Sequence, residues 1–202
     1  MAYTSALTLK VADLDTFIAS WNDYGREASL QYATDVWVSQ SIMSGERAGE
    51  VSVLYRWNSI DSAMDGVVAL RNDDGIRKSL GDSGAETVRR VLVRVDAEMG
   101  ERGSKYSTLI TSTGMPPSPE DQAAAVSRVW EVVSRNGAIG QMWGQAISAG
   151  PMTGTWILAT HTDSLDQLLE GTAEIMASAE QQQFMADHNI VLTGRTMSRN
   201  LG

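Results

Sequence analysis

The chain contains no cysteine, which excludes a disulfide framework, an iron–sulfur cluster, a thiolate zinc site and a cysteine nucleophile. It has only two histidines, His161 and His188. Any imidazole chemistry falls to one of them, and two unclustered histidines make no recognisable ligand set, so no metal is expected. Basic residues are few: 16 Lys and Arg stand against 25 Asp and Glu, a net charge of −9. With no segregated basic patch, such a chain repels phosphate backbones, and nucleic acid is not an expected partner. No apolar run approaches the ~20 residues that span a bilayer, and residues 1–17 lack the basic and apolar regions of a secretory signal. The expectation is a soluble, cytoplasmic protein without a membrane partner. What is present is ordinary globular composition, 43% hydrophobic and 20% charged, able to bury a core. A length of 202 residues suits one large domain or two of about 100 residues.

The chain repeats itself. Setting each residue beside the one 105 positions later pairs Gln40 with Gln145, Ile42 with Ile147, Gly45 with Gly150, Gly49 with Gly154 and Ser59 with Ser164. The same ungapped register pairs Asp61 with Asp166, Gly66 with Gly171, Arg90 with Arg195 and Arg94 with Arg199. Glycines recur where chain turns make demands on the backbone. This predicts a duplication, with repeat 1 over residues 1–97, a short polar linker over 98–103 and repeat 2 over 104–202. Upstream of Trp37 the register shifts, because Gly114 to Pro119 gives the second copy a longer, stiffer loop.

Each copy reads as strand, helix, strand, strand, helix, strand. In the first, Leu7, Leu9 and Val11 alternate with polar or small residues, the period of a strand. Asp13 caps a helix whose apolar stripe is Leu14, Phe17, Ile18, Trp21, Gly25 and Ala28. Asp35 to Met43 and Glu50 to Trp57 are β-branched and aromatic, joined by a hairpin over Gly45 to Gly49. Ser59 caps a second helix with Ile60, Ala63, Met64, Val67 and Val68 as its expected buried stripe, interrupted at Asn72 to Gly75. Thr87 to Val95 closes the copy. The second copy follows suit: Tyr106 to Ser112, a helix over Ser118 to Ser134, strands over Ile139 to Ser148 and Thr155 to His161, one long helix from Asp163, and a strand from Val191 to Arg199.

This order is the ferredoxin-like βαββαβ pattern, in which an antiparallel sheet carries helices on one face and leaves the other bare. Two such sheets can bury their bare faces against each other. The arrangement resembles the dimeric α+β barrel superfamily, and a tandem repeat could close the barrel within one chain. The expected fold class is therefore α+β, two ferredoxin-like repeats packed into an intramolecular α+β barrel. At residue level, Arg56-Trp57-Asn58-Ser59 is similar to a strand-end Trp-x-Ser cap in the antibiotic-biosynthesis-monooxygenase group, and Phe184 to His188 resembles a Phe-x-x-x-His helix ending there. The resemblance implies binding of a small hydrophobic or aromatic molecule in the barrel, as in a cofactor-independent monooxygenase-like or isomerase-like enzyme. A non-catalytic binding or assembly protein is the alternative. It also offers haem binding through His188 as a further alternative to a cofactor-free site.

Within that frame, His161 and its repeat mate Arg56 are the candidate catalytic pair, polar donors at symmetry-related strand ends that could point into the barrel. Trp37, Tyr55, Trp57 and Trp143 are candidate aromatic walls, and Gln40 and Gln145 candidate hydrogen-bonding groups for a ligand carbonyl. Each has a plainer reading as core or facing-backbone contact. The retained pairs Arg90/Arg94 and Arg195/Arg199 would line the barrel with positive charge or join carboxylates across its seam. Gly81-Asp82-Ser83-Gly84 looks like a serine nucleophile string, but no positioned histidine precedes it, and a polar connector is the expectation. A homodimer remains open, since fused copies can satisfy the interface internally or pair with a second chain.

Overall fold

The computed structural model describes residues 1–201. The first copy contributes β1 (Ala2–Lys10), α1 (Leu14–Ser20), α2 (Arg26–Leu30), β2 (Asp35–Met43), β3 (Val51–Trp57), α3 (Ile60–Asn72), α4 (Asp74–Asp82) and β4 (Glu86–Gly100). The second contributes β5 (Tyr106–Thr113), α5 (Pro119–Arg135), β6 (Ala138–Ser148), β7 (Trp156–Thr162), α6 (Leu165–Ala177), α7 (Ala179–Asp187) and β8 (Val191–Asn200). From β3 onward every element of the second copy lies 105 residues after its counterpart or within it. The retained glycines explain why: Gly45 and Gly150 take φ of 62° and 56°, Gly49 and Gly154 of 88° and 90°, a left-handed backbone in which side chains are strained.

Four strands of each copy order as β4-β1-β3-β2 and β8-β5-β7-β6, and the two sheets join edge to edge as β2–β8 and β4–β6 into one closed antiparallel barrel. Closure leaves no sheet edge exposed, and both seams lie within a single chain. The conserved register of the repeat acts at those seams. Gln40 lies opposite Arg199, and Arg94 lies opposite Gln145. Arg199 Nε donates to Gln40 Oε1 at 3.0 Å and Arg94 Nη2 to Gln145 Oε1 at 3.5 Å, while each glutamine amide donates to a hairpin carbonyl, Gly49 or Gly154.

Three apolar layers result. One lies between the first sheet and its helices, with Leu9, Phe17, Trp21, Val38, Val51, Tyr55 and Trp57 at its centre. A second lies beneath α5 and α6, around Val129, Val133, Leu168 and Ile175. The third, built on Val93, Val95, Met142, Ala146 and Ile157, fills part of the barrel itself. Strands in such a barrel are covered on both faces.

Three sequence expectations are corrected. The expected linker begins inside a strand, because Glu98, Met99 and Gly100 continue β4 by pairing with Met142, Gln141 and Gly140. The long helix expected from Asp163 breaks at Ser178, whose extended backbone and side-chain oxygen cap α7. The same break occurs at Asp73, which caps α4. Finally, of the expected stripe Ile60, Met64 and Val68 are exposed, while Ala63 is buried and Val67 packs against the core, and α3 adds Gly66 and Leu70 to that face. The Trp57 ring turns the helix: a Cβ on Gly66 would sit 2.3 Å from ring Cζ3, so α3 can approach the sheet only on that face. No helix among the described residues is long and apolar enough to cross a membrane.

Candidate functional site

Strand direction alternates around the ring, so β3 and β7 run the same way and their C-terminal ends, Arg56 and His161, open on one mouth of the barrel. Between that mouth and the other lies a cavity of about 120 Å³. Hydroxyls from Thr4, Thr8, Ser39, Ser41 and Ser52 line part of it, and Leu54, Val91, Val93 and Ile157 another part.

His161 is 5% exposed, lines this cavity, and its Nδ1 has no hydrogen-bond partner. Its strand neighbours across the sheet are Ser107 and Gly140. Gly140 carries no side chain because a Cβ there would meet the Glu101 carbonyl oxygen at 1.9 Å, so the chain leaving β4 passes directly over this end. That segment delivers Arg102, whose guanidinium stacks 4.4 Å from the Trp37 ring centroid. Arg102 Nη1 also donates to Asp35 at 2.6 Å, and its Nη2 to Glu98. Arg56 completes the network, donating to Glu98 Oε2 at 2.7 Å and to Thr4 Oγ1 at 3.3 Å. Burial, and then the Arg102 charge, push the imidazole of His161 from an ordinary 6.5 down to about 4, against an opposing pull from Glu98. The ring is therefore neutral at physiological pH.

A pH dependence follows. The unfolded chain takes up this proton near pH 6.5 whereas the folded protein resists it down to about pH 4. The unfolded state thus binds more protons in that window, and stability falls as pH drops through it. His161→Leu is expected to remove about 3 kcal/mol of that loss, seen as a flatter plot of urea-denaturation free energy between pH 7 and 4; an unchanged slope would place the acid sensitivity elsewhere.

The opposite mouth carries a charged cluster of its own. Glu50 is 6% exposed and receives Arg89 through both guanidinium nitrogens, while Arg47 reaches it through Nε at 3.4 Å. Burial pushes the carboxyl up, but the hydrogen bonds and charges of Arg89 and Arg47 outweigh it and hold Glu50 below its usual range. No repeat signal exposes this cluster, because the positions matching Arg47, Glu50 and Arg89 are Met152, Thr155 and Gly194.

Other expected residues lie elsewhere. Tyr55 and Trp57 face the helices, in the core of the first repeat, and not the barrel interior. Burial pushes the Tyr55 hydroxyl up to about 12. Gln40 and Gln145 bond to seam arginines, as described above. Arg90 and Arg94 line no part of the barrel cavity; Arg94 pairs with Asp96 at 2.6 Å. Ser83 is buried, its Oγ donating to the Ser79 and Leu80 carbonyls, as a polar connector should.

Trp143 borders a second cavity of about 100 Å³, between the second sheet and α5–α7, with Trp156, Ile175, Met176 and Phe184. Gln141 reaches into it, 2% exposed, with neither amide atom hydrogen-bonded, and the Trp143 indole N–H is also unpartnered. Leaving such groups unpaired costs about 1–3 kcal/mol. Gln141→Leu is therefore expected to stabilise the ligand-free protein by about 1–2 kcal/mol, raising Tm by roughly 2–8 °C; a lower Tm would show that the amide has partners.

His188 lines neither cavity. It ends α7, tilted over Phe184 at 4.9 Å between centroids, in a surface hollow with Asp121, Glu180 and Asp187. The hollow that His188 borders is an open surface depression lined mainly by polar and acidic side chains, Phe184 apart, which does not enclose the apolar faces of a haem. These residues do not fit a haem held by His188.

No family sequence profile matches the chain, and no curated protein sequence matches it. Solved structures do. The chain is similar to a protein described as a "putative monooxygenase" from Fusobacterium nucleatum, with 10% identity, a TM-score of 0.61, and coverage of 100% of this chain and 93% of that one. It is similar to a variant of the chlorite dismutase from Candidatus Nitrospira defluvii, with 12% identity, a TM-score of 0.62, and coverage of 99% and 92%. An anthrone oxidase-like protein matches at 14% identity and a TM-score of 0.52, over 98% and 91%. At such identities the likeness concerns architecture, and it agrees with the ring of strands described above: the chain has the dimeric α+β barrel fold, closed within one polypeptide by two ferredoxin-like repeats.

Proposed function

We propose that the protein binds a small hydrophobic or aromatic molecule inside the barrel, at the mouth shared by Trp37, Arg56 and His161, and acts on it with groups of its own chain. The observation that carries this reading is the buried, neutral His161 lining a cavity with Nδ1 unpartnered. A ligand O–H or N–H would satisfy a nitrogen that otherwise costs about 1–3 kcal/mol. A cavity of about 150 Å³ accommodates benzene, so 120 Å³ sets a ligand of single-ring scale. A neutral imidazole can accept a proton, and Arg102, with Arg56 acting through Thr4, offers positive charge to the oxygen left behind. Similarity in fold to monooxygenase and oxidase-like proteins extends the reading to oxidation of the bound molecule by O₂.

Native mass spectrometry of the freshly purified protein, beside its His161→Leu variant, tests binding and reads the oligomeric mass in the same spectrum. A retained molecule lost in the variant supports the reading. A molecule retained equally by both sinks it. Oxygen uptake on adding the identified molecule then tests the oxidase extension.

A second reading places the ligand beneath α5–α7 and is favoured by the unpartnered Gln141 amide. Retention of the molecule in His161→Leu with loss in Gln141→Leu would select it.

A further inference from the structure

The charges around the barrel cavity are unlike those of the whole protein. The chain carries a net charge of −9, yet the charged residues lining the cavity are Arg47, Arg89 and Arg102, with no acidic residue among the described lining residues. The carboxylates stand behind these arginines. At the mouth near His161 the charges balance, Arg56 and Arg102 against Glu98 and Asp35. At the other mouth they do not: Arg47 and Arg89 share the single buried carboxylate of Glu50. Arg89 spends both terminal nitrogens on it, whereas Arg47 touches it only through Nε, at 3.4 Å. Nearby, the buried Ser44 Oγ has no partner. The Arg47 side chain is 38% exposed and opens on the cavity as well as on solvent, so its guanidinium is a half-paired donor at this mouth that an entering anion can join.

We propose that the molecule bound in the barrel is a small organic monoanion, its carboxylate held at the Arg47–Arg89 mouth and its apolar body lying along Val91, Leu109 and Ile157 toward His161. This rests on the barrel-binding reading above and adds the chemical class and the end at which the charge sits. A planar carboxylate matches the guanidinium fork of Arg47, and one negative charge brings the mouth to neutrality. The cavity volume of about 120 Å³ confines the body to one ring or a short chain.

The test titrates benzoate and its neutral isostere benzamide into methyl-labelled protein, following the Val91 and Ile157 methyl resonances, with dissolved xenon as a probe of the empty cavity. The expected result is binding of benzoate about tenfold or more tighter than benzamide, with the preference lost in Arg47→Gln and partly restored in Arg47→Lys. Arg47 is partly exposed, so its replacement leaves the fold intact, and an unchanged xenon shift in the variant verifies this. Xenon entry without any preference for benzoate, or a preference that survives Arg47→Gln, overturns the anion assignment while leaving the cavity standing. Failure of xenon to shift the methyls overturns the barrel-binding reading and the anion assignment together.

Discussion

Trp57→Ala is expected to cost about 3–5 kcal/mol of folding stability, read as a shift in the midpoint of urea denaturation at unchanged slope. The ring is 1% exposed in the core between the first sheet and its helices. It stacks on Tyr55 at 5.8 Å between centroids, and its indole N–H donates to Ser5 Oγ at 2.8 Å. Truncation leaves a void against α3 and strands the buried Ser5 hydroxyl, two penalties that add. Gly66 offers no side chain to refill the space, since its Cβ position is the one the ring occupies. Because the ring lies on the helix side of β3, a ligand in the barrel should bind the variant unchanged below its unfolding transition. A loss under about 1 kcal/mol, or a direct loss of barrel ligand, would return Trp57 to the binding site.

Arg89→Met is expected to cost about 3 kcal/mol at pH 7, the low end for breaking a buried pair because Arg47 still touches Glu50. The pH dependence fixes the cause. In the intact protein the depressed Glu50 contributes stability above its ordinary value of 4.5, and that contribution is lost as pH falls through the folded value. Without Arg89, burial dominates and the carboxyl moves up, so the variant's deficit is largest at neutral pH and shrinks on acidification as the proton is taken up. Arg89→Met combined with Glu50→Gln removes the stranded charge and should recover most of the loss. Denaturation of the three proteins at pH 7 and pH 5 checks this; an equal deficit at both pH values, unrelieved by the second substitution, would point to lost packing by the arginine stem.

The legible part of the site was its symmetry. The 105-residue offset pairs Arg56 with His161, and closure of the barrel puts both at one mouth. Illegible were the contributions present in one copy only. Arg47 and Arg89 face no arginine in the second repeat, and Arg102 belongs to the connector, which has no counterpart at all. Gln141 gave no signal because a glutamine on a strand looks solvated until helices cover it.

The sequence by itself determined the repeat, the order of strands and helices, and the glycines at the hairpins, because these depend on local periodicity and on backbone angles that neighbours cannot alter. Which face of each strand looks into the barrel was decided only by tertiary structure. Alternation separates two faces but names neither when both are buried, and here both are: Val36 and Val38 pack under helices while Trp37 turns inward, and Tyr55 and Trp57 pack under helices while Leu54 turns inward. The closing of β2 on β8 and β4 on β6 breaks that tie, since it encloses one face of every strand at once.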